Sequence, residues 1–160
     1  MEQDKIKPIE KAQLPASNHE FHHRLPVQMR FNDIDMLGHL NNSVYIEFMD
    51  LGKAHYFKAV MQDKLDWKRV NVVVVNINCD FLAPTYLNEP LEVLTAVVSI
   101  SNRSFKIEQQ IINSQTKEIK CVGRTIMAGF NPLTAEGTVI SEDWVNALNA
   151  YEHRDLRLKE

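Results

Sequence analysis

The chain has 160 residues, a formal net charge of -3, 44% hydrophobic residues and 24% charged ones. That length suits one domain with a real core, and the slight negative charge supplies none of the basic field that a nucleic-acid binder needs. Charged residues interrupt every apolar stretch well short of the ~20 residues of a membrane helix, and the N-terminal segment has no apolar run of a secretory leader, so a soluble, cytoplasmic protein without membrane or nucleic-acid partners is expected.

Residues 1–22 are polar, carry Pro8 and Pro15 and lack periodicity, which predicts a flexible arm ahead of one domain over residues 23–160. Within the arm, His19-Glu20-Phe21-His22-His23 matches HExxH. Ser17-Asn18 and Pro26 leave little room for the helix that would set both histidines on one face, and no later segment offers a third ligand, so no metal is expected. Over residues 24–31, Leu25, Val27, Met29 and Phe31 recur at every second position, the mark of a half-buried strand. Asn32 to Gly38 is rich in turn residues. Asn41, Asn42 and Ser43 supply N-cap chemistry for a helix over residues 44–61. Its apolar residues cover more than one stripe, which predicts a helix enclosed by other structure, with His55 packed or interfacial.

Strands are then expected over residues 70–81, with a break at Pro84, and over 91–100, 105–112 and 119–130, separated by turn-rich segments at antiparallel meander spacing. A last amphipathic helix spans about 141–157 with Ser141 as its cap. The order implies an α+β domain, an antiparallel sheet with its helix on one face. One helix cannot cover so long a sheet, so a second subunit is expected at the remaining edge or face. Cys79 and Cys121 form no CxxC pair and read as buried small hydrophobes.

The segment from Arg30 to Tyr45 carries the chemistry. It places Asp33 and Asp35 at a strand end, then a glycine turn, then a helix start. A helix N-terminus presents unpaired N–H groups that can hold an oxyanion, and a nearby carboxylate can serve as base or nucleophile. Acyl transfer needs both. The competing reading is that Asp33 or Asp35 caps the turn and Asn41 or Asn42 caps the helix. Period-2 spacing does not choose between the two aspartates, because both share a face with Val27, Met29 and Phe31.

Asp33-Ile34-Asp35 followed by Gly38-His39-Leu40-Asn41-Asn42 and Tyr45 resembles the signature of the acyl-CoA thioester hydrolases typified by 4-hydroxybenzoyl-CoA thioesterase, which have the hotdog fold. The pattern is also similar to that of plant-type acyl-carrier-protein thioesterases. The likeness runs from about Leu25 to Phe130, including Ala83-Pro84 and Glu89-Pro90. It implies a long antiparallel sheet wrapped around a central helix, hydrolysis of acyl-CoA or acyl-ACP without a cofactor, and a homodimer or homotetramer with its sites between subunits. Asp35 matches the catalytic carboxylate and the N–H near Asn42 the oxyanion donor. His39 matches a histidine found in one subgroup, where it would orient Asp35 or water, or close the turn. Asn41 would bind water or substrate, or cap the helix, and Tyr45 would pack in the core or touch substrate. Arg103, Lys106 and Arg124 are candidates for the coenzyme phosphates, and Ser104 for a phosphate or the pantetheine arm. Two rivals are a non-catalytic acyl-thioester binder and a hydratase. The second is disfavoured because Asp50 and His55, five apart, do not stack on one helix face.

Overall fold

The computed structural model describes residues 19–66 and 70–159. In chain order the elements are β1 (His23–Val27), α1 (Asn42–Met61), β2 (Val72–Phe81), β3 (Leu91–Ile100), β4 (Ser104–Asn113), β5 (Ile119–Asn131), β6 (Glu136–Thr138) and α2 (Glu142–Glu152). The strands form one antiparallel sheet in the order β1-β3-β4-β5-β2, with β6 paired to β5. This is the hotdog arrangement, α+β, with α1 laid along one face of the sheet.

Asn41 starts α1 by accepting the Ser43 N–H at 3.0 Å on its side chain, which satisfies one of the amides a helix start leaves open. The helix buries Val44, Tyr45, Phe48, Met49, Gly52, Tyr56, Phe57 and Val60, a stripe of residues three and four apart. Its first half packs with Leu40 onto Leu91, Val93, Ile111 and Cys121. Its second half packs onto Val97, Phe105, Ile107 and Met127, together with Trp144, Val145 and Leu148 of α2. Edge-to-face contacts of Phe57 with Trp144 (5.3 Å) and of Tyr56 with Tyr151 (5.4 Å) join the two helices. The buried Tyr56 hydroxyl donates to Glu152 at 2.6 Å and accepts the Val97 N–H, so no polar atom of that ring is stranded in the core.

Several expectations need correction. The helix is not enclosed on all sides in this chain: Glu47, Asp50, Leu51, His55 and Lys58 form an exposed face. The first strand ends at Val27 rather than Phe31, because its partner β3 begins at Leu91 and the chain then curls into a tight 3-10 turn at Phe31–Asp33. The terminal helix stops at Glu152, where His153 takes a left-handed conformation (φ 55°) and closes the helix end. The short strand β6 carries no alternating pattern and went unforeseen. Residues 1–18 of the expected arm lie outside the described residues. His19 approaches Glu108 Oε2 at 2.7 Å, and His23 belongs to β1, so the HExxH histidines do not share a helix. Burial pushes the Cys121 thiol up to about 12 and raises that of Cys79, as befits packed cysteines.

Close packing of α1 on the sheet depends on Gly52. A Cβ there would meet Val93 Cγ1 at 2.7 Å, Gln109 Nε2 at 3.0 Å and Thr95 Oγ1 at 3.2 Å. Gly52→Ala is therefore expected to destabilise the fold by about 1–3 kcal/mol. Urea unfolding checks this as a lower midpoint at unchanged m-value.

Candidate active site

Two loops and the start of α1 enclose a cleft of about 270 Å³ lined by Asp35, Leu37, His39, Leu40, Asn42, Tyr45, Phe81, Leu82, Ala83 and Pro84. The first loop is anchored by Asp33. Its carboxylate receives the Arg30 backbone N–H at 2.8 Å and the Arg30 guanidinium at 2.9 Å, and its carbonyl receives the Asn41 N–H at 2.8 Å. Asp33 is 3% exposed. Burial alone would raise its pKa, but the bonds and charge of Arg30 outweigh that and hold it below the ordinary carboxylate range.

Asp35 differs. It is exposed, on a turn closed by Asp35 N–H to the His39 carbonyl (2.8 Å) and Gly38 N–H to the Asp35 carbonyl (3.1 Å). Gly38 has φ +78°, which a side chain would strain. One carboxylate oxygen, Oδ1, accepts the N–H groups of Leu37 (2.8 Å) and His39 (3.3 Å). The structure thus separates two aspartates that spacing left equivalent: Asp33 is buried and fully engaged, while Asp35 borders the cleft.

At the helix start, Asn41 serves as the cap. Its side chain takes the Ser43 N–H and its carbonyl takes the Val44 N–H at 2.9 Å. Among the described residues no group accepts the N–H of Asn42, which borders the same cleft as Asp35. The His39 ring packs edge-on against Tyr86 at 5.3 Å rather than bonding to Asp35. Tyr45 is buried, with its hydroxyl 2.8 Å from Thr85 Oγ1 and its ring 5.4 Å from that of Phe81. Burial raises its pKa, so it stays a neutral phenol.

The opposite wall, Phe81 to Pro84, is held in place by polar ties that the sequence pattern does not reveal. Leu40 N–H bonds the Thr85 carbonyl at 2.8 Å. Lys120, at a bulge of β5, is buried and reaches the Pro84 carbonyl (3.1 Å), Glu89 (2.9 Å) and Glu118. Burial by itself would lower the lysine pKa, but these carboxylates raise it, so the ammonium stays charged. Of the wall itself, Phe81 carried a signal as the last residue of the alternation in β2, and Ala83-Pro84 only through the family resemblance.

Arg103, Ser104 and Lys106 do not reach this cleft within the chain. They sit at the β3–β4 turn, where Ser104 Oγ bonds Ser101 Oγ at 2.8 Å. Among the described residues no carboxylate pairs with Arg103 or Lys106, whereas Arg124 is engaged by Asp80 (3.4 Å) and Glu108 (3.5 Å).

The family profile of the thioesterase-like superfamily matches residues 29–148, three quarters of the chain and the whole of the cleft. The chain belongs to that superfamily. Its fold is the hotdog fold of the thioesterases it resembles. Over 97 residues it is 28% identical to the acyl-CoA thioester hydrolase YbgC of Escherichia coli O6:H1, covering 58% of this chain and 70% of that protein. Its fold superposes with a TM-score of 0.74 on a thioesterase from Thermus thermophilus crystallised with coenzyme A and zinc, at 26% identity over 84% of this chain and 96% of that one. The PA5185 protein of Pseudomonas aeruginosa gives a TM-score of 0.69 at 25% identity, covering 82% and 92%.

The Arg30–Asp33 unit yields a prediction with a definite sign. Because the folded pKa of Asp33 lies below its ordinary value of 3.8, the ionised side chain adds stability above that pH and loses it as pH falls through the folded value. Asp33→Asn should cost about 1.5–3 kcal/mol at neutral pH, and wild type and variant should converge in acid. Urea unfolding across that range checks it, and curves that stay parallel would contradict the assignment.

Proposed function

We propose that the chain hydrolyses acyl-CoA thioesters, with Asp35 as the general base or nucleophile and the Asn42 N–H as the oxyanion donor. One observation carries the reading. A carboxylate and an unclaimed helix-opening amide border one cleft, while the other aspartate of the motif is withdrawn from it. In the base form, Asp35 takes a proton from water as the hydroxyl adds to the thioester carbonyl, and the oxyanion settles on the Asn42 N–H. Collapse expels the thiolate of coenzyme A, which recovers the proton from Asp35. A preorganised amide of this kind is worth roughly 3–4 kcal/mol and the base about 100-fold or more in rate. The thiol is a good leaving group, so the route needs no cofactor. His39 shapes the turn that presents Asp35, through its backbone.

Coenzyme A, rather than an acyl carrier protein, is favoured by the similarity to YbgC. The working unit in this reading is a dimer. β2 is an edge strand, and Val75 (58% exposed) and Phe81 (44%) stand open on it, Phe81 at the cleft. Such an edge invites pairing. Were β2 to pair end to end with its copy, the partner's row through Val73, Ala128 and Ser104 would come into line with the Phe81 end of this strand. That would bring the partner's turn, with Arg103, Ser104 and Lys106, toward this cleft. Arg103 and Lys106, which no carboxylate among the described residues engages, are then the phosphate ligands in preference to Arg124.

Asparagine at position 35 keeps the Oδ1 acceptor for Leu37 and His39 but loses the charge. Asp35→Asn is therefore expected to lower kcat by at least about 100-fold with Tm and oligomer size unchanged. Wild-type activity in that variant would refute the role, and a wild type that binds acyl-CoA without turnover would mark a binding protein instead. Arg103→Ala should raise KM for acyl-CoA by more than for the matching acyl-pantetheine, which lacks the nucleotide phosphates. Equal effects on both would remove Arg103 from phosphate binding.

A further inference from the structure

We infer that Met49, seated over Gly123, is the depth stop of the acyl pocket and restricts the enzyme to short aliphatic or single-ring acyl groups; the inference rests on the thioesterase reading and deepens it. The Tyr45–Phe81 ring pair lines the cleft, with Tyr45 fixed by Thr85. One helical turn further along α1, on the same stripe, lies Met49. On the sheet opposite, the register steps inward from the Phe81–Cys121 pair to the Cys79–Gly123 pair.

Gly123 leaves a hollow in β5, and Met49 fills it. A Cβ at position 123 would stand 2.5 Å from Met49 Sδ and 2.8 Å from its Cε, and Cys79 Sγ lies 3.9 Å from the same sulfur. What closes the space behind the ring pair is therefore an unbranched thioether with three rotatable bonds, the most easily displaced of large core side chains. One turn deeper on the stripe is Lys53, buried, with its ammonium 2.7 Å from Asp50. A hydrocarbon chain pushed that far would have to pack against a buried charge. The apolar depth along α1 thus runs from Tyr45 to Lys53, roughly 12 Å at 1.5 Å per residue, and Met49 occupies its middle.

The test compares kcat/KM for lauroyl-CoA with that for hexanoyl-CoA. Met49→Ala should raise the lauroyl-to-hexanoyl ratio about tenfold or more, the scale set by methylene-sized changes in such pockets. Gly123→Ala should lower it, because its methyl displaces the flexible end of Met49 from the hollow and toward the cleft. Loss of stability alone depresses both substrates together and cannot move the two variants in opposite directions. Ratios that stay put, or that shift the same way in both variants, overturn the depth assignment while leaving hydrolysis by the wild type intact. Binding of S-hexyl-CoA and S-dodecyl-CoA, thioethers with no scissile carbonyl, repeats the comparison by calorimetry. Opposite shifts there with no hydrolysis of any thioester would uphold the depth stop and reject the thioesterase reading, and unchanged binding ratios would reject the depth stop.

Discussion

The Arg30–Asp33 pair is the constraint on which the rest of the site depends. A carboxylate 3% exposed is tolerable only because it receives a backbone N–H and a guanidinium together. Its own carbonyl then takes the Asn41 N–H, so one residue ties the end of the first strand's exit turn to the start of α1. With both ends of the loop tied to Asp33, the intervening residues 34–40 have little freedom left. The turn that carries Asp35 is therefore held next to the start of α1 by a buried residue withdrawn from the cleft. Its position is a folding consequence and needs no substrate to induce it, which is what preorganised electrostatic catalysis demands.

The second wall is held by the same kind of device. Lys120 sits where β5 bulges, so its side chain is buried where a regular strand would have placed it elsewhere. From there it gathers the Pro84 carbonyl and the carboxylates of Glu89 and Glu118. Glu89 also receives the Tyr86 N–H and the Asn113 side chain, and these bonds more than offset burial to hold its pKa low. The loop from Leu82 to Pro90 has no regular structure of its own, yet these bonds tie it to β4, β5 and the start of α1. Both walls of the cleft are thus loops pinned by buried charges, and the apolar surface between them is free to serve a substrate.

Much of this was legible in the sequence, and the losses have physical causes. Apolar, β-branched runs bounded by turn residues marked β2 to β5 to within a residue or two, because both signals are local in sequence. The N-cap at Asn41 and the terminal cap at Ser141 were readable because a cap is a local hydrogen bond between a side chain and an amide two or three residues on. The two aspartates were not separable, because their difference arises from a 3-10 turn that rotates Asp33 inward, and such a turn has no periodic signature. Lys120 and Thr85 were invisible for a related reason: a bulge and an irregular loop determine what they touch. The enclosure of α1 does not hold within one chain: its apolar residues, Leu51 among them, cover more than one stripe, yet Leu51 lies on an exposed face.

That uncovered surface is informative when set beside the cleft. Phe31, Met36 and Leu37 are almost wholly exposed on the loop that carries Asp35, and Phe81, Ile77 and Val75 are exposed along the neighbouring edge strand. Apolar surface of this extent beside an unpaired strand edge is costly in a lone subunit. Polar substitutions there would be cheap if the surface only faced water, and the alternation of β2 would then place its polar residues on the outer side of a one-sided strand. In its first half, however, the consecutive Val73, Val74 and Val75 open apolar groups on both sides of β2, as in a strand that becomes internal on association. Phe81, the last residue of that edge strand, lines the cleft. A second copy pairing along β2 would therefore cover the apolar loop, complete the sheet and close the cleft in a single step, so that assembly and the making of the active site are one event in this reading.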